Sequence, residues 1–546
     1  MTRRKNPAEI TIRISLVLFF SAVVIAPIAT MFFRITPADF RQLVNSADFV
    51  PATVNSVTTA LTATVISTAT ALCAAFALTR TDIRGKNVFS VLFVLPMLIP
   101  SISHAYGLKA LIGVNGSGIL SRLFGWNLSI LGFPGIVVGS VLYSFPVAFL
   151  MFRSVLQYED GLPYRAAQVL GIPPLHRLTG ITLPYLKKTL ISTFFAVFTM
   201  IVTDYGVPEA LHTRSFGYTL SILMLRNVEN ARFGSAGVIG VLLLVPAVAA
   251  FAVDLLISDR GRAQFVSEPV GQARGGLPKV LAYLFGSVLS LLILLPIAAF
   301  GVQIFAKSYP TDLSFTLSHV ADTFRGGADG FLANSLLYAA LAALFGTALA
   351  FLSAYVTTRT KSPLCRPLHL LSITSVAIPG LVLGLSYVIF FRKTPLYGTF
   401  AIITLANAVH FFTSPYLLMV NALNKVNPDL EAVGRTLGIS RLRIVFSILI
   451  PKVRASLTEM AVYFFVNSMM TISAVSLLAP PAPLPLSLMI SRAESQIDIG
   501  KAATVSIVIL LVNLAVRGAA AAIGRREKKQ SEKPTSVLDI PLSDTV

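Results

Sequence analysis

Side chains able to do covalent chemistry are few in this sequence, and none stands in a catalytic pattern. The six histidines are scattered singly, with no His-Glu-x-x-His and no serine-nucleophile signature around them. His104 and His410 fall in or near apolar runs and are read as structural. No Gly-x-x-x-x-Gly-Lys-Ser/Thr phosphate loop occurs; Gly85-Lys86 and Gly500-Lys501 are both out of frame. Cys73 and Cys365 form neither a disulfide framework nor a zinc spacing. The expectation is a protein that is not an enzyme and holds no cofactor or metal of its own. What remains is a different chemistry, that of a polar path. Asp204 lies in an otherwise apolar stretch, where a carboxylate at mid-bilayer costs at least ~2.5 kcal/mol unless paired or wetted. Asp204, Tyr205, Asn467, Thr471 and Ser473 are candidates to line such a path. The alternative for Asp204, a helix-capping role near the interface, stays open, and Asn55 and Asn334 read as caps.

The second pattern is mechanical. The segment Tyr164-Arg165-Ala166-Ala167-Gln168-Val169-Leu170-Gly171 is followed after nine residues by Ile181-Thr182-Leu183-Pro184. Glu431-Ala432-Val433-Gly434-Arg435-Thr436-Leu437-Gly438 is followed after nine residues by Ile448-Leu449-Ile450-Pro451. Asp160 and Asn427 are N-cap types at the same place in both. Pro163 and Pro428 suit a first helical turn, and Gly171 and Gly438 suit helix termination. Each segment predicts a helix of two to three turns, too short to be stable alone in water. Its small residues suit close packing against a partner that pushes on it.

These segments need a frame, and the composition says which kind. Of 546 residues, 55% are hydrophobic and only 12% charged, with a mean hydropathy of +0.77. A soluble chain carries about 25% charged residues, so the apolar surface here calls for lipid. Runs long enough to cross about 30 Å of hydrocarbon occur near 12–33, 54–78, 88–112, 130–152, 189–208 and 234–257. A second series follows near 279–305, 332–356, 367–391, 399–420, 456–479 and 502–523. Pro96, Pro100 and Pro379 interrupt the third and ninth. The first run is long and lacks a cleavage site, so it reads as a retained helix rather than a signal peptide. Twelve spans place both termini on one side, and 31 of the 44 Lys/Arg fall there against 13 opposite. The positive-inside rule makes that side cytoplasmic. The net charge of +20 is therefore topological, and no nucleic-acid partner is expected.

The frame is written twice. Asn55-Ser56, Thr79-Arg80-Thr81 and Ile99-Pro100 recur as Asn334-Ser335, Thr358-Arg359-Thr360 and Ile378-Pro379, at an offset of 279. Gly171 and Pro184 recur as Gly438 and Pro451 at 267. The first half has the longer outer loop after its third span, through Asn115, Trp126 and Asn127. The fold class expected is all-α integral membrane, about twelve transmembrane helices in two parallel six-helix repeats. The division is 1–257 for the first repeat (long loop 153–188), 258–278 for a linker, 279–524 for the second repeat (long loop 421–455) and 525–546 for a tail.

On these motifs the chain resembles the permeases of binding-protein-dependent ABC importers, of the type I fold. Their cytoplasmic loop reads E-A-A-x3-G-x9-I-x-L-P and forms a coupling helix that docks on an ATPase subunit. The resemblance implies coupling roles for Arg165, Ala166, Ala167, Gly171 and Pro184, and for Glu431, Ala432, Gly434, Gly438 and Pro451. It departs from the pattern where Arg165 and Ala432 replace the glutamate and where Val433-Gly434 replace the two alanines. It implies a bacterial inner-membrane location. Its implied partners are two cytoplasmic ATP-binding cassette subunits, which would carry ATP and Mg, and an extracytoplasmic solute-binding protein. Thr203 to Pro208 and Asn467 to Ser473 look most like members handling ferric iron or 2-aminoethylphosphonate, and more distantly thiamine. The rival is a twelve-helix secondary transporter of the major-facilitator type, whose loop motif Asp82-Ile83-Arg84-Gly85-Lys86 superficially resembles.

Overall fold

The structure is a computed structural model that describes residues 7–114, 116–256, 268–273, 275–360, 362–478, 484–495 and 499–531. Linker residues 258–267 and 274, Asn115 and the tail beyond Ser531 lie outside the described residues.

Helices dominate. Eight are long and apolar enough to cross a membrane: Ile10–Phe33, Phe49–Arg80, Phe133–Leu156, Pro174–Val202, Phe233–Val253, Leu277–Phe305, Ser318–Arg359 and Ile499–Arg525. Three further spans are bent pairs, which brings the number to eleven. The remaining expected span, the eleventh, falls on Ile450–Met470, a continuous helix of 21 residues. It carries Lys452, Arg454, Glu459 and Asn467 and is too polar to qualify by the same measure. Among the described residues the exception to helix is a short antiparallel ribbon, Ala306–Ser308 with Asp312–Phe315, after the seventh span.

The bends have local causes. Lys86–Leu98 and Ser101–Leu111 meet at 104°, and Cys365–Ala377 and Gly380–Phe391 at 110°. Ile99 (φ −123°, ψ 150°) and Ile378 (φ −111°, ψ 108°) are extended, as the proline that follows each of them demands. The tenth span bends by 56° between Phe400–His410 and Thr413–Asn424. Pro415 cannot donate to the carbonyl four residues back, and the ladder breaks there. The fifth span ends at Val202, short of the expected 208, and a new helix, Gly206–Leu211, begins beyond Asp204. The eleventh likewise ends at Met470, before Thr471.

Close approach of helices comes from small side chains, since lipid gives apolar helices no reason to associate. The second span buries Ala52, Ala60, Ala63, Ser67, Ala71, Ala74 and Ala75 against the fourth, with Ser144 donating to Ser67 at 3.0 Å. On the eighth span Gly346 admits Phe464, whose ring would lie 2.7 Å from an added Cβ.

The first span of each repeat packs on the other repeat. Tyr387 of the ninth span donates to the Val23 carbonyl of the first at 2.8 Å, and Phe20 lies edge-on to Phe412 at 4.8 Å. In the same way the seventh span packs on the third, where Gly107 leaves room for Pro296.

Candidate functional site

The two loop helices form as Leu162–Val169 and Asp429–Thr436. Asp160 and Asn427 each accept from the backbone N–H two residues on, at 3.2 Å from Leu162 and 2.9 Å from Asp429. They turn the chain into the helix, while the N-cap position of the first helix is Gly161. Gly171 (φ +68°) and Gly438 (φ +70°) end both helices in the left-handed region. Ile172 N–H then returns to Ala167 O at 2.9 Å, and Ile439 N–H to Gly434 O at 2.9 Å, closing the C-terminus in the same way twice. Ala167 is buried, and an added Cβ on Gly434 would sit 2.6 Å from Ile444. Arg165, Ala166, Ala432, Pro184 and Pro451 are exposed. So are Val169 (87%), Leu170 (75%) and Leu437 (70%), which gives each helix an apolar outer tip. Pro184 and Pro451 lack the N–H that the α pattern needs. The backbone widens just before them into π turns, Leu178–Thr182 and Val445–Leu449, at matching places in the two repeats.

Equivalent arginines tie each loop helix to its repeat, by different routes. Arg80, ending the second span, pairs with the buried Glu159, which also accepts from Tyr164 Oη at 2.5 Å. Burial pushes the Glu159 carboxyl up, against the opposing pull of the Tyr164 hydroxyl and the Arg80 guanidinium. In the second repeat Arg359 donates to the carbonyls of Leu423 (2.5 Å) and Val426 (2.6 Å). Its Nε lies 3.5 Å from the carboxylate of Glu431, and the Tyr355 hydroxyl approaches the other oxygen at 3.4 Å. Glu431 occupies the repeat position of Tyr164. The acid has moved, and the arginine has kept its grip. Glu431 therefore faces inward rather than toward a docking partner.

The described end of the linker is bound in. Glu268 O accepts from Gly161 N at 2.7 Å, and Ala273 exchanges backbone hydrogen bonds with Arg80 and Asp82. The Glu268 side chain also pairs with Arg165. This strap, from Glu268 to Ala273, engages the first loop helix.

Between the repeats lies a cavity of about 130 Å³. Asp204, Asn467, Thr471 and Ser473 line it; Tyr205 is buried but is not among its lining residues. Asp204 also caps the helix beyond it, accepting from Val207 N at 3.0 Å with help from the Ser101 hydroxyl. Asp204 thus caps a helix and also lines the cavity. The sequence reading missed Tyr143 and Ser101 and took His410 as structural, yet all three line the cavity. The missed signal was the repeat itself. At the 267 offset Tyr143 pairs with His410, Met200 with Asn467, Asp204 with Thr471 and Gly206 with Ser473, and all eight residues line the cavity. The cavity thus lies on the pseudo-two-fold axis, with the one carboxylate on the first repeat's wall.

A family model described as "Binding-protein-dependent transport system inner membrane component" matches twice, over residues 66–262 and 346–529. The chain belongs to this family. It is a fused, two-repeat permease of an ABC importer, a multi-pass inner-membrane transport protein and not an enzyme. The family works with ATPase and binding-protein partners. Relatives include a ferric transport system permease protein of Actinobacillus pleuropneumoniae, 25% identical over 83% of this chain and 68% of the relative. An Fe(3+)-transport system permease protein of Haemophilus influenzae is 24% identical over 80% of this chain and 83% of its own. A spermidine/putrescine transport system permease protein of Haemophilus influenzae is 26% identical over 40% of this chain and 78% of its own length. A crystal structure of a bacterial alginate ABC transporter with its periplasmic protein aligns over 47% of this chain and 93% of its own, at 17% identity and a TM-score of 0.38.

Proposed function

We propose that this permease passes ferric iron, delivered by an extracytoplasmic binding protein and driven by two ATPase subunits, one on each loop helix. The observation that carries the cargo assignment is the axial cavity, whose lining includes Asp204 together with Tyr143, Thr471, Ser473, Asn467 and His410. A hard trivalent cation takes oxygen donors, carboxylate above all, and a carboxylate offsets part of its desolvation cost in a low-dielectric passage. The ferric transport relatives that match most of the chain support the same cargo. The Tyr205 backbone adds to the Asp204 cap, so Tyr205 supports the path without lining it.

The paired helices with exposed apolar tips support two docks. In this role Arg165, Ala166, Ala167, Gly171 and Pro184, with Glu431, Ala432, Gly434, Gly438 and Pro451, shape the levers rather than supply specific charges. With the basic side inward, both termini are cytoplasmic, and the repeats divide at the 258–278 linker. ATP-driven closure of the ATPases moves the two levers and rocks the repeats about the axis.

The test is reconstitution of the full chain with its ATPase and binding protein in proteoliposomes. The expected result is ATP-dependent uptake of radioactive ferric iron. Uptake of labelled 2-aminoethylphosphonate instead would overturn the cargo. Iron uptake on an ion gradient without the ATPase would overturn the drive.

A further inference from the structure

A predominantly apolar cavity near the second loop helix lies away from the axis, on the second repeat. It measures about 940 Å³. One wall is a continuous stripe of the eighth span, Ala343, Leu344, Thr347, Ala348, Phe351, Leu352, Tyr355, Val356 and Thr360, residues that recur every three to four positions on one helix face. From Ala343 to Thr360 that face runs about 25 Å at 1.5 Å per residue. The facing wall is the segment leading from the second loop helix into the eleventh span, through Val445, Phe446, Ile450 and Leu457. Leu344 and Phe446 are largely exposed, so the groove opens sideways, toward the bilayer.

One end of the groove differs from the rest. Arg13 of the first span, Arg441 and Thr360 line it, all at the helix ends nearest the loop helices. Arg13 is 8% exposed. An apolar groove within a bilayer does not hold water, so an acyl chain fills it. Two guanidiniums at the headgroup level select the chain's owner, because basic pockets between spans on the cytoplasmic side recognise anionic headgroups through charge-assisted bonds to phosphate.

We propose that this groove is a binding site for one anionic phospholipid, its phosphate held by Arg13 and Arg441 and an acyl chain along the eighth span. The first repeat has no counterpart of Arg441, whose repeat position there is Pro174. Arg441 opens the helix that directly follows the second loop helix, so the bound lipid ties that lever to the membrane. The site is independent of the cargo.

Native mass spectrometry of the full chain in mild detergent, titrated with phosphatidylglycerol or phosphatidylcholine, tests this. One phosphatidylglycerol is expected to bind at least tenfold more tightly than phosphatidylcholine. The preference should vanish in Arg13→Gln/Arg441→Gln, and Ala348→Trp, which fills the groove and leaves both arginines, should expel the lipid. Equal affinity for the two lipids in the unmodified chain overturns the proposal. So does a preference that survives both sets of substitutions, or displacement of the lipid by inorganic phosphate.

Discussion

Asp204 caps a helix and lines the axial cavity, and one substitution separates its charge from its capping oxygen. Asn retains a side-chain oxygen to cap the helix that starts at Gly206, but it has no negative charge for a cation in the axial cavity. Asp204→Asn is therefore expected to lower iron uptake at least tenfold while insertion and binding-protein-stimulated ATP hydrolysis persist; loss of all three would make the residue a cap only. Arg359 is an anchor of another kind. It and Glu431 are both nearly inaccessible, at 5% and 7%, and breaking a buried pair typically costs about 3–5 kcal/mol. Arg359→Ala should lower the unfolding temperature accordingly and speed hydrogen exchange in Asp429–Thr436. Glu159 adds a pH dependence. Its carboxyl is raised by burial, so the folded loop holds its proton more tightly than the unfolded chain does. That contribution to stability is complete below the ordinary glutamate value of about 4.3 and is lost as pH climbs through the raised value. In Glu159→Gln the fall in melting temperature across that window should disappear, and an unchanged profile would assign the titration elsewhere.

At the scale of elements, the loop helices act as levers only if their ends are fixed. Gly171 and Gly438 close them in a left-handed conformation that proline, held near φ −65°, cannot take. Gly171→Pro and Gly438→Pro should each abolish transport and substrate-stimulated ATP hydrolysis while the protein still reaches the membrane. Uptake at the unmodified rate in both would remove the levers from the mechanism. The π turns ahead of Pro184 and Pro451 give each lever a defined joint with its span. The two joints match, whereas the anchors differ and the strap from Glu268 to Ala273 engages the first helix. The levers are thus alike in shape and unlike in attachment, so equal substitutions in the two halves need not have equal effects.

The whole molecule is interlocked, because the first span of each repeat lies on the opposite repeat. Separate halves, 1–262 and 263–546, should each be unstable alone, with an unpaired span and an uncovered third or ninth span. Expressed together they should co-purify through detergent extraction and support iron uptake. Failure to associate would mean that the covalent connection, not packing, holds the repeats together.

Much of this architecture was legible in the chain itself. Hydropathy marked the spans, because an apolar run of span length has few other uses. Ile99-Pro100 and Ile378-Pro379 marked two breaks, because proline acts on its immediate neighbours. The duplicated loop pattern ending in Gly171 and Gly438 marked the two loop helices, because helix termination is local. The end of the fifth helix at Val202 and the partners of Glu431 were not legible. Each depends on which side chains arrive from other spans. The axial cavity shows the division most clearly. Asp204 with Thr471 and Tyr143 with His410 could be paired by counting residues, but that both pairs and Ser101 line one cavity was decided only by folding. A pseudo-two-fold axis brings distant, repeat-equivalent positions face to face, and no spacing within one span records that meeting.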